Sequence, residues 1–369
     1  MKRGLCLVVL GLILAAAVAP AGAQQEFRFG FQAGFTGGPG AVYGAFARRA
    51  VEMAVDEINA KGGVNGLRLV PVTVDDQMNP TVAVNVIKKF ISVDKLPLVL
   101  GSNTNTALAI IPIADQSKTV FMTAMSVHPD IAKMSPWSFR MALDFLKASD
   151  KAIEYLHHKG ARKLGLLVFN HESTRRIAEN VRKSFEALGG TVVVEEILPR
   201  SPDFRSTIDK VRAAEPDAIY ISSFVSESAK VLKQMAERGW KPKVGVAADS
   251  LEDPKFFEQV GDAAEGAVYG GLASDPKVYG EFAERYRKRY SEEPEVFGAQ
   301  YYDSVYLIAE AVRRGGTTAE GIQKGLLAIQ HYKGVCGDIS FDKEGDVQLP
   351  IGLKGIKGQK YVFINGVRP

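Results

Sequence analysis

Cysteine is nearly missing from this 369-residue chain, which holds Cys6 and Cys336 alone. That excludes a disulfide-stapled scaffold and any cysteine-based zinc cluster. An excess of one charge is missing too. Lysine plus arginine number 46 against 42 for aspartate plus glutamate, a net charge of +4. No basic block outruns a helix face, so nucleic acid is not implied as a partner. The longest apolar run, Leu5–Val18, is too short to span a bilayer comfortably, and no second run reaches spanning length. Signatures of chemistry are absent as well: there is no HExxH, no GxSxG elbow and no GxxxxGK[ST] loop. His157 and His158 are adjacent, so on a helix they point about 100° apart and cannot clasp one metal. Neither catalysis nor a metal or other cofactor is expected.

What is present is ample apolar material. Hydrophobic residues make up 46% and charged residues 24% of the chain, ordinary for globular protein and enough for two cores at roughly 150 residues per domain. The first 23 residues read as a signal peptide: Lys2 and Arg3, the apolar Leu5–Val18, then Ala21-Gly22-Ala23 as a small-x-small cleavage site. Cleavage near Ala23 would leave a soluble, periplasmic protein with one thiol, Cys336, and no internal disulfide.

From residue 27 onward, strand-like and helix-like segments alternate. Phe27–Phe35 and Leu67–Asp75 read as strands, the second at a sheet edge because of Pro71. Ala41–Ala60 and Pro80–Val93 read as helices, the latter capped by Asn79. A short strand at Leu98–Gly101, a helix at Ala107–Gln116 and a strand at Thr119–Thr123 follow. The pattern then restarts with helix Ser149–Lys159 and strand Lys163–Phe169, and runs through Val268–Leu272. Helices Pro276–Tyr290, Val296–Arg314 and Thr318–Ile329 precede a Gly-rich, strand-like tail. Such alternation argues for parallel sheets covered on both faces, and its restart for two of them. Two open α/β sheets facing each other leave a crevice at the carboxyl ends of their strands, where ligands bind.

Gly38-Pro39-Gly40-Ala41-Val42-Tyr43-Gly44 follows a strand and opens a helix, as a dinucleotide fingerprint would. Its third glycine is one residue late and Pro39 stiffens the turn, so a glycine-rich turn near a ligand is the better reading. Asn170-His171-Glu172-Ser173 is chemically rich at a strand end, with Ser173 a candidate helix cap that can still face the cleft.

Several segments resemble the leucine/isoleucine/valine-binding protein family, the extracytoplasmic solute-binding proteins of branched-chain amino acid ABC importers. They are Phe35-Thr36-Gly37-Gly38-Pro39 with Tyr43-Gly44, and Ala54 through Gly66. Val99-Leu100-Gly101-Ser102, Ile111-Pro112-Ile113-Ala114 and Phe121–Pro129 follow, then Tyr302-Asp303-Ser304-Val305 and Gly337 through Asp346. Their order spans the chain beyond residue 23.

The resemblance implies an α/β fold of two Rossmann-like lobes, the type I periplasmic binding protein fold, joined by a three-segment hinge with a ligand cleft between. Residues 24–142 and 272–348 would form one lobe, 143–271 and 349–369 the other. It further implies a carboxylate held by Asn103, Thr104, Asn105, Met125, Ser126 and Val127. Tyr43, Ser173 and Phe224 would be further contacts, and Asp249 would pair with an α-ammonium group. Physically, short hydroxyl and amide side chains at a helix N-terminus suit a carboxylate. Ser173 stands where the family often has tyrosine, and His171-Glu172 add polarity beside it. These shifts put a larger or more polar ligand, an aromatic acid or an amide, on a par with a leucine-type amino acid. The expected partners are the small molecule and an ABC permease in the inner membrane, the protein itself being a monomer. Two rivals remain: a ligand-sensing receptor of the same fold, and an exported nucleotide-dependent enzyme.

Overall fold

The structure is a computed structural model that describes residues 24–36, 41–126, 128–247 and 256–364. The expected signal peptide, the Gly38-Pro39-Gly40 turn, Val127 and Asp249 lie outside the described residues.

The first run is β1 (Glu26–Ala33), α1 (Ala41–Ala60), β2 (Arg68–Asp75), α2 (Pro80–Ser92), β3 (Leu98–Asn103), α3 (Thr104–Ser117), β4 (Val120–Met125) and β5 (Ser138–Arg140). Its strands form a parallel sheet in the order β2-β1-β3-β4-β5. β4 is buried along its whole length, so it reads as a continuous apolar run. β2 lies at the edge, as Pro71 suggests, because proline cannot donate to a neighbouring strand. Asn79 caps α2, its Oδ1 accepting the Thr81 amide at 2.9 Å, with Pro80 in the first turn.

The second run is α4 (Phe145–His158), β6 (Lys163–Val168), α5 (Glu172–Ala187), β7 (Thr191–Ile197), α6 (Arg205–Ala213), β8 (Ala218–Ser222), α7 (Val225–Glu237), β9 (Lys243–Val246), α8 (Phe256–Val260) and β10 (Val268–Leu272). The chain then returns to the first sheet through α9 (Pro276–Tyr290), α10 (Val296–Gly315) and α11 (Ala319–Leu327). α10 packs on α1 and β4, and Tyr301 on α10 donates to the Gly101 carbonyl at 2.7 Å. β11 (Tyr332–Gly334), β12 (Gly337–Phe341) and β13 (Val347–Gln348) make a small antiparallel sheet tied to the first lobe by a bridge between Arg140 and Asp346. β14 (Ile351–Ile356) and β15 (Tyr361–Phe363) then join the second sheet, whose order is β15-β14-β10-β9-β8-β6-β7.

The protein is therefore two α/β lobes, with the chain passing between them three times: after β5, after β10 and after β13. At the first passage the Leu143 amide donates to Gln300 Oε1 at 3.0 Å inside the core, and Phe145 meets Phe297 at 5.8 Å between ring centres.

The structure departs from the sequence reading in three places. α3 begins at Thr104 rather than Ala107, because Asn103 is the cap, its Oδ1 accepting the Thr106 amide at 3.2 Å. Pro112 consequently lies in mid-helix. α4 starts at Phe145, four residues before Ser149, where Asp144 accepts the amides of Leu146 and Lys147 at 3.1 Å. The second sheet is not wholly parallel, since the tail adds β14 and β15 antiparallel to it.

Candidate cleft between the lobes

β3 and β4 end level with each other, Asn103 standing beside Met125 in the parallel register. Asn103 caps α3, and Thr104 is that helix's first residue. Ser126 follows β4 directly. Thr104 Oγ1 and Ser126 Oγ are 3.0 Å apart and both residues are buried, so one hydroxyl donates to the other and the second proton remains for another acceptor. Asn103 Nδ2 is sealed from solvent with no partner. Asn105 points to solvent, while Met125 is buried. This corner thus carries an amide N–H, two hydroxyls and the amide end of α3, a donor-rich arrangement suited to a carboxylate.

Arg140 braces the corner from below. Its side chain is 1% exposed, and Nε and Nη2 grip Asp346 Oδ1 and Oδ2 at 2.7 and 2.8 Å. Nη1 lies 3.5 Å from the Ser126 carbonyl. Burial pushes the Asp346 carboxyl above its usual range, outweighing the guanidinium beside it.

The second lobe presents a different surface. β6 and β8 also end level, with Val168 beside Ser222. His171 caps α5: its Nδ1 accepts the Ser173 amide at 3.3 Å and lies 2.8 Å from Ser173 Oγ. Ser173 is therefore not the cap that the sequence suggests. It lies buried in the first turn, held by the histidine that is. An Nδ1 that accepts leaves the proton on Nε2, and burial lowers the His171 pKa, so the ring is neutral near pH 7. Phe224 occupies the cap position of α7, its ring 5.2 Å from His171 and 5.4 Å from Phe169. Glu172 and Glu227 sit in the first turns of these two helices, each with one oxygen sealed from solvent and unpartnered.

The two surfaces meet. Arg176 on α5 reaches Asp130, on the loop after β4, with Nη2 3.6 Å from Oδ2. His128 of that loop is desolvated and feels Arg176 and Glu172 from the opposite lobe, which together leave its pKa below the ordinary value.

Asn103, Thr104, Met125 and Ser126 thus share one corner, and Ser173 and Phe224 are joined through His171. Tyr43 on α1 is buried edge-on to Phe297 at 5.3 Å, beside the first passage between lobes. The contributions of Asp130, Arg140 and Arg176 were not legible in the sequence, because their partners lie far along the chain and no local motif marks them. Among the described residues no cluster of histidine, cysteine and carboxylate could hold a metal, and no helix is long and apolar enough to cross a membrane.

A cavity of about 530 Å³ lies away from these strand ends, beside Glu57, Arg285, Tyr302 and Tyr306. There burial pulls the Glu57 carboxyl upward, but hydrogen bonds from both tyrosines and the Arg285 charge hold it below its usual range. That carboxylate is already satisfied by these partners.

Comparisons with known proteins agree with this fold. The family model described as periplasmic binding protein matches residues 26–350. The Leu/Ile/Val-binding protein homolog 1 of Brucella abortus (strain 2308) is 26% identical, over 96% of this chain and 98% of that one. Two solved structures show the same fold. The branched-chain amino acid transporter substrate binding protein of Streptococcus pneumoniae, in complex with isoleucine, has a TM-score of 0.83 at 23% identity, covering 91% of this chain and 98% of that one. A solute binding protein of an ABC transporter from Rhodopseudomonas palustris BisB5, in complex with 3,4-dihydroxy benzoic acid, has a TM-score of 0.83 at 24% identity, covering 92% and 96%.

Proposed function

The chain belongs to the periplasmic binding protein family, and from that premise we propose that it captures a small carboxylate-bearing solute and delivers it to an ABC importer in the inner membrane. The observation that carries this reading is the donor-rich corner of Asn103, Thr104 and Ser126, set across a cleft from an aromatic and acidic surface. An amino acid and an aromatic acid both fit, and relatives of each kind support the reading.

In this proposal residues 24–142 with 272–348 form one lobe and 143–271 with 349–369 the other. Residues 1–23 direct export and are removed near Ala23. The corner, with Asn105 at its rim and Val127 extending it, receives the carboxylate. Tyr43, Ser173 and Phe224 line the remainder, and Asp249 meets an ammonium group when the ligand has one. Each lobe holds one end of the solute, so the ligand stabilises the closed arrangement by its better contacts there. The protein acts as a monomer and does no chemistry of its own.

A thermal-shift screen of the mature protein against the common amino acids and simple aromatic carboxylates tests this. Ligand at 100 times its Kd adds about 2.7 kcal/mol of stability, a readable rise in midpoint. Stabilisation by nucleotides, with none by any carboxylate, would overturn the reading.

A further inference from the structure

Glu172 and Arg176 stand one turn apart on α5, a spacing that places them on one face of the helix. Each has a polar atom sealed from solvent without a partner, Glu172 Oε2 and Arg176 Nε. The nearest opposite charge to the guanidinium across the cleft is Asp130, and at 3.6 Å this is an ion pair too long to be a hydrogen bond. The arginine's Nε–H is therefore not consumed by that contact. His128, which faces both side chains, is desolvated and adds no competing cation near neutral pH. His171, which precedes Glu172 in the chain, packs edge-on against Phe224 with ring centres 5.2 Å apart. Buried polar atoms are nearly always hydrogen-bonded. An orphaned acceptor and an orphaned donor within one helical turn, on the helix that meets the Asp130 loop of the other lobe, call for a group that complements both.

We propose that Glu172 and Arg176 are a specificity pair for the end of the ligand remote from its carboxylate, and that this end is a planar group bearing both N–H donors and a carbonyl acceptor, as in a carboxamide or ureido group. The inference rests on the carboxylate-binding reading above. The N–H of such a group donates to Glu172 Oε2, and its carbonyl accepts from Arg176 Nε. An aliphatic or plain aromatic end leaves both atoms unpaired, a mismatch that binding sites reject by roughly 10–100-fold. The pair thus selects against leucine-type ligands in a fold that elsewhere accepts them.

The test is calorimetric titration of the mature protein, refolded free of carried-over ligand, with two matched pairs: leucine and glutamine, benzoate and 4-carbamoylbenzoate. The expected result is that the carboxamide member of at least one pair binds at least tenfold tighter than its counterpart. Glu172→Met and Arg176→Met, which remove the acceptor and the donor at similar volume, should each collapse that ratio toward one by weakening the carboxamide member more than the apolar one, with the apo melting temperature retained. If neither carboxamide member binds at least tenfold tighter than its counterpart, the specificity pair is overturned and the carboxylate reading stands. A ratio that survives both substitutions, or an equal loss for both members, has the same consequence. Binding by none of the four overturns this inference, and the thermal-shift screen decides the carboxylate reading separately.

Discussion

Removing the carboxylate of Asp346 tests how the donor-rich corner is held. Arg140 is 1% exposed and its guanidinium is gripped at 2.7 and 2.8 Å by the two oxygens of Asp346. Asp346→Ala leaves that cation buried with only the 3.5 Å approach to the Ser126 carbonyl. Leaving a buried charge unpaired costs about 3–5 kcal/mol, which at roughly 2–4 °C per kcal/mol lowers the melting temperature by about 6–20 °C. The intact pair need not itself be net stabilising, and the raised Asp346 pKa says that desolvation outweighs attraction there. Replacing both partners by apolar side chains, Arg140→Met with Asp346→Leu, should therefore recover most of the loss. Calorimetric melting of the two variants beside wild type is the assay. A single variant within about 1 kcal/mol of wild type, or a double variant no better than the single, would refute the reasoning.

Two further outcomes follow from particular contacts, and a third from the proposed site. Asp303 is fully buried, its carboxylate taking the amides of Val335 and Cys336 at 3.0 and 2.7 Å, and burial raises its pKa to about 6 against 3.8. A raised folded value means a contribution to stability that is complete below about pH 3.8 and is lost as pH rises through 6. Wild-type stability should accordingly fall relative to that of Asp303→Asn by ~2 kcal/mol from pH 4 to pH 7, and a difference independent of pH in denaturant titrations would contradict this. At Gly44 a Cβ would stand 2.0 Å from the Gly34 carbonyl oxygen, so Gly44→Ala must push α1 off the end of β1 at a cost of about 1–3 kcal/mol, and an unchanged melting temperature would count against that close approach. Asp249→Ala should weaken a zwitterionic amino acid at least 100-fold while sparing a purely anionic aromatic acid; equal affinity for the amino acid would remove Asp249 from the site.

The fold was legible where local chemistry and periodicity agreed. Asn79-Pro80 marks its helix start unaided, and Pro71 sends β2 to the edge. The start of α3 was misjudged because Asn103 ends a strand and caps a helix at once, so no loop separates the two and the segment looks like a connector. The antiparallel β14 and β15 gave no sign of their partner: pairing with β10 is a long-range event, and a Gly-rich tail is equally compatible with a separate hairpin. At the site, the resemblance led to Thr104 and Ser126, whose hydroxyls do meet, and to Phe224. It could not supply the cross-lobe contact of Arg176 with Asp130 or the bracing of Ser126 by Arg140, which exist only once distant segments are packed. Ser173 illustrates the intermediate case: its place at a helix start was readable, but the neighbouring histidine took the capping role through a hydrogen bond that composition alone does not rank above the serine's own.

The central claim is that the cleft carries a small carboxylate-bearing solute. The most direct measurement is to denature protein purified from the compartment to which it is exported and identify by mass spectrometry what is released. The expected release is a single small carboxylate in near 1:1 ratio, which restores the melting temperature when added back to refolded protein. Release of a nucleotide, or of nothing that rebinds, would contradict it.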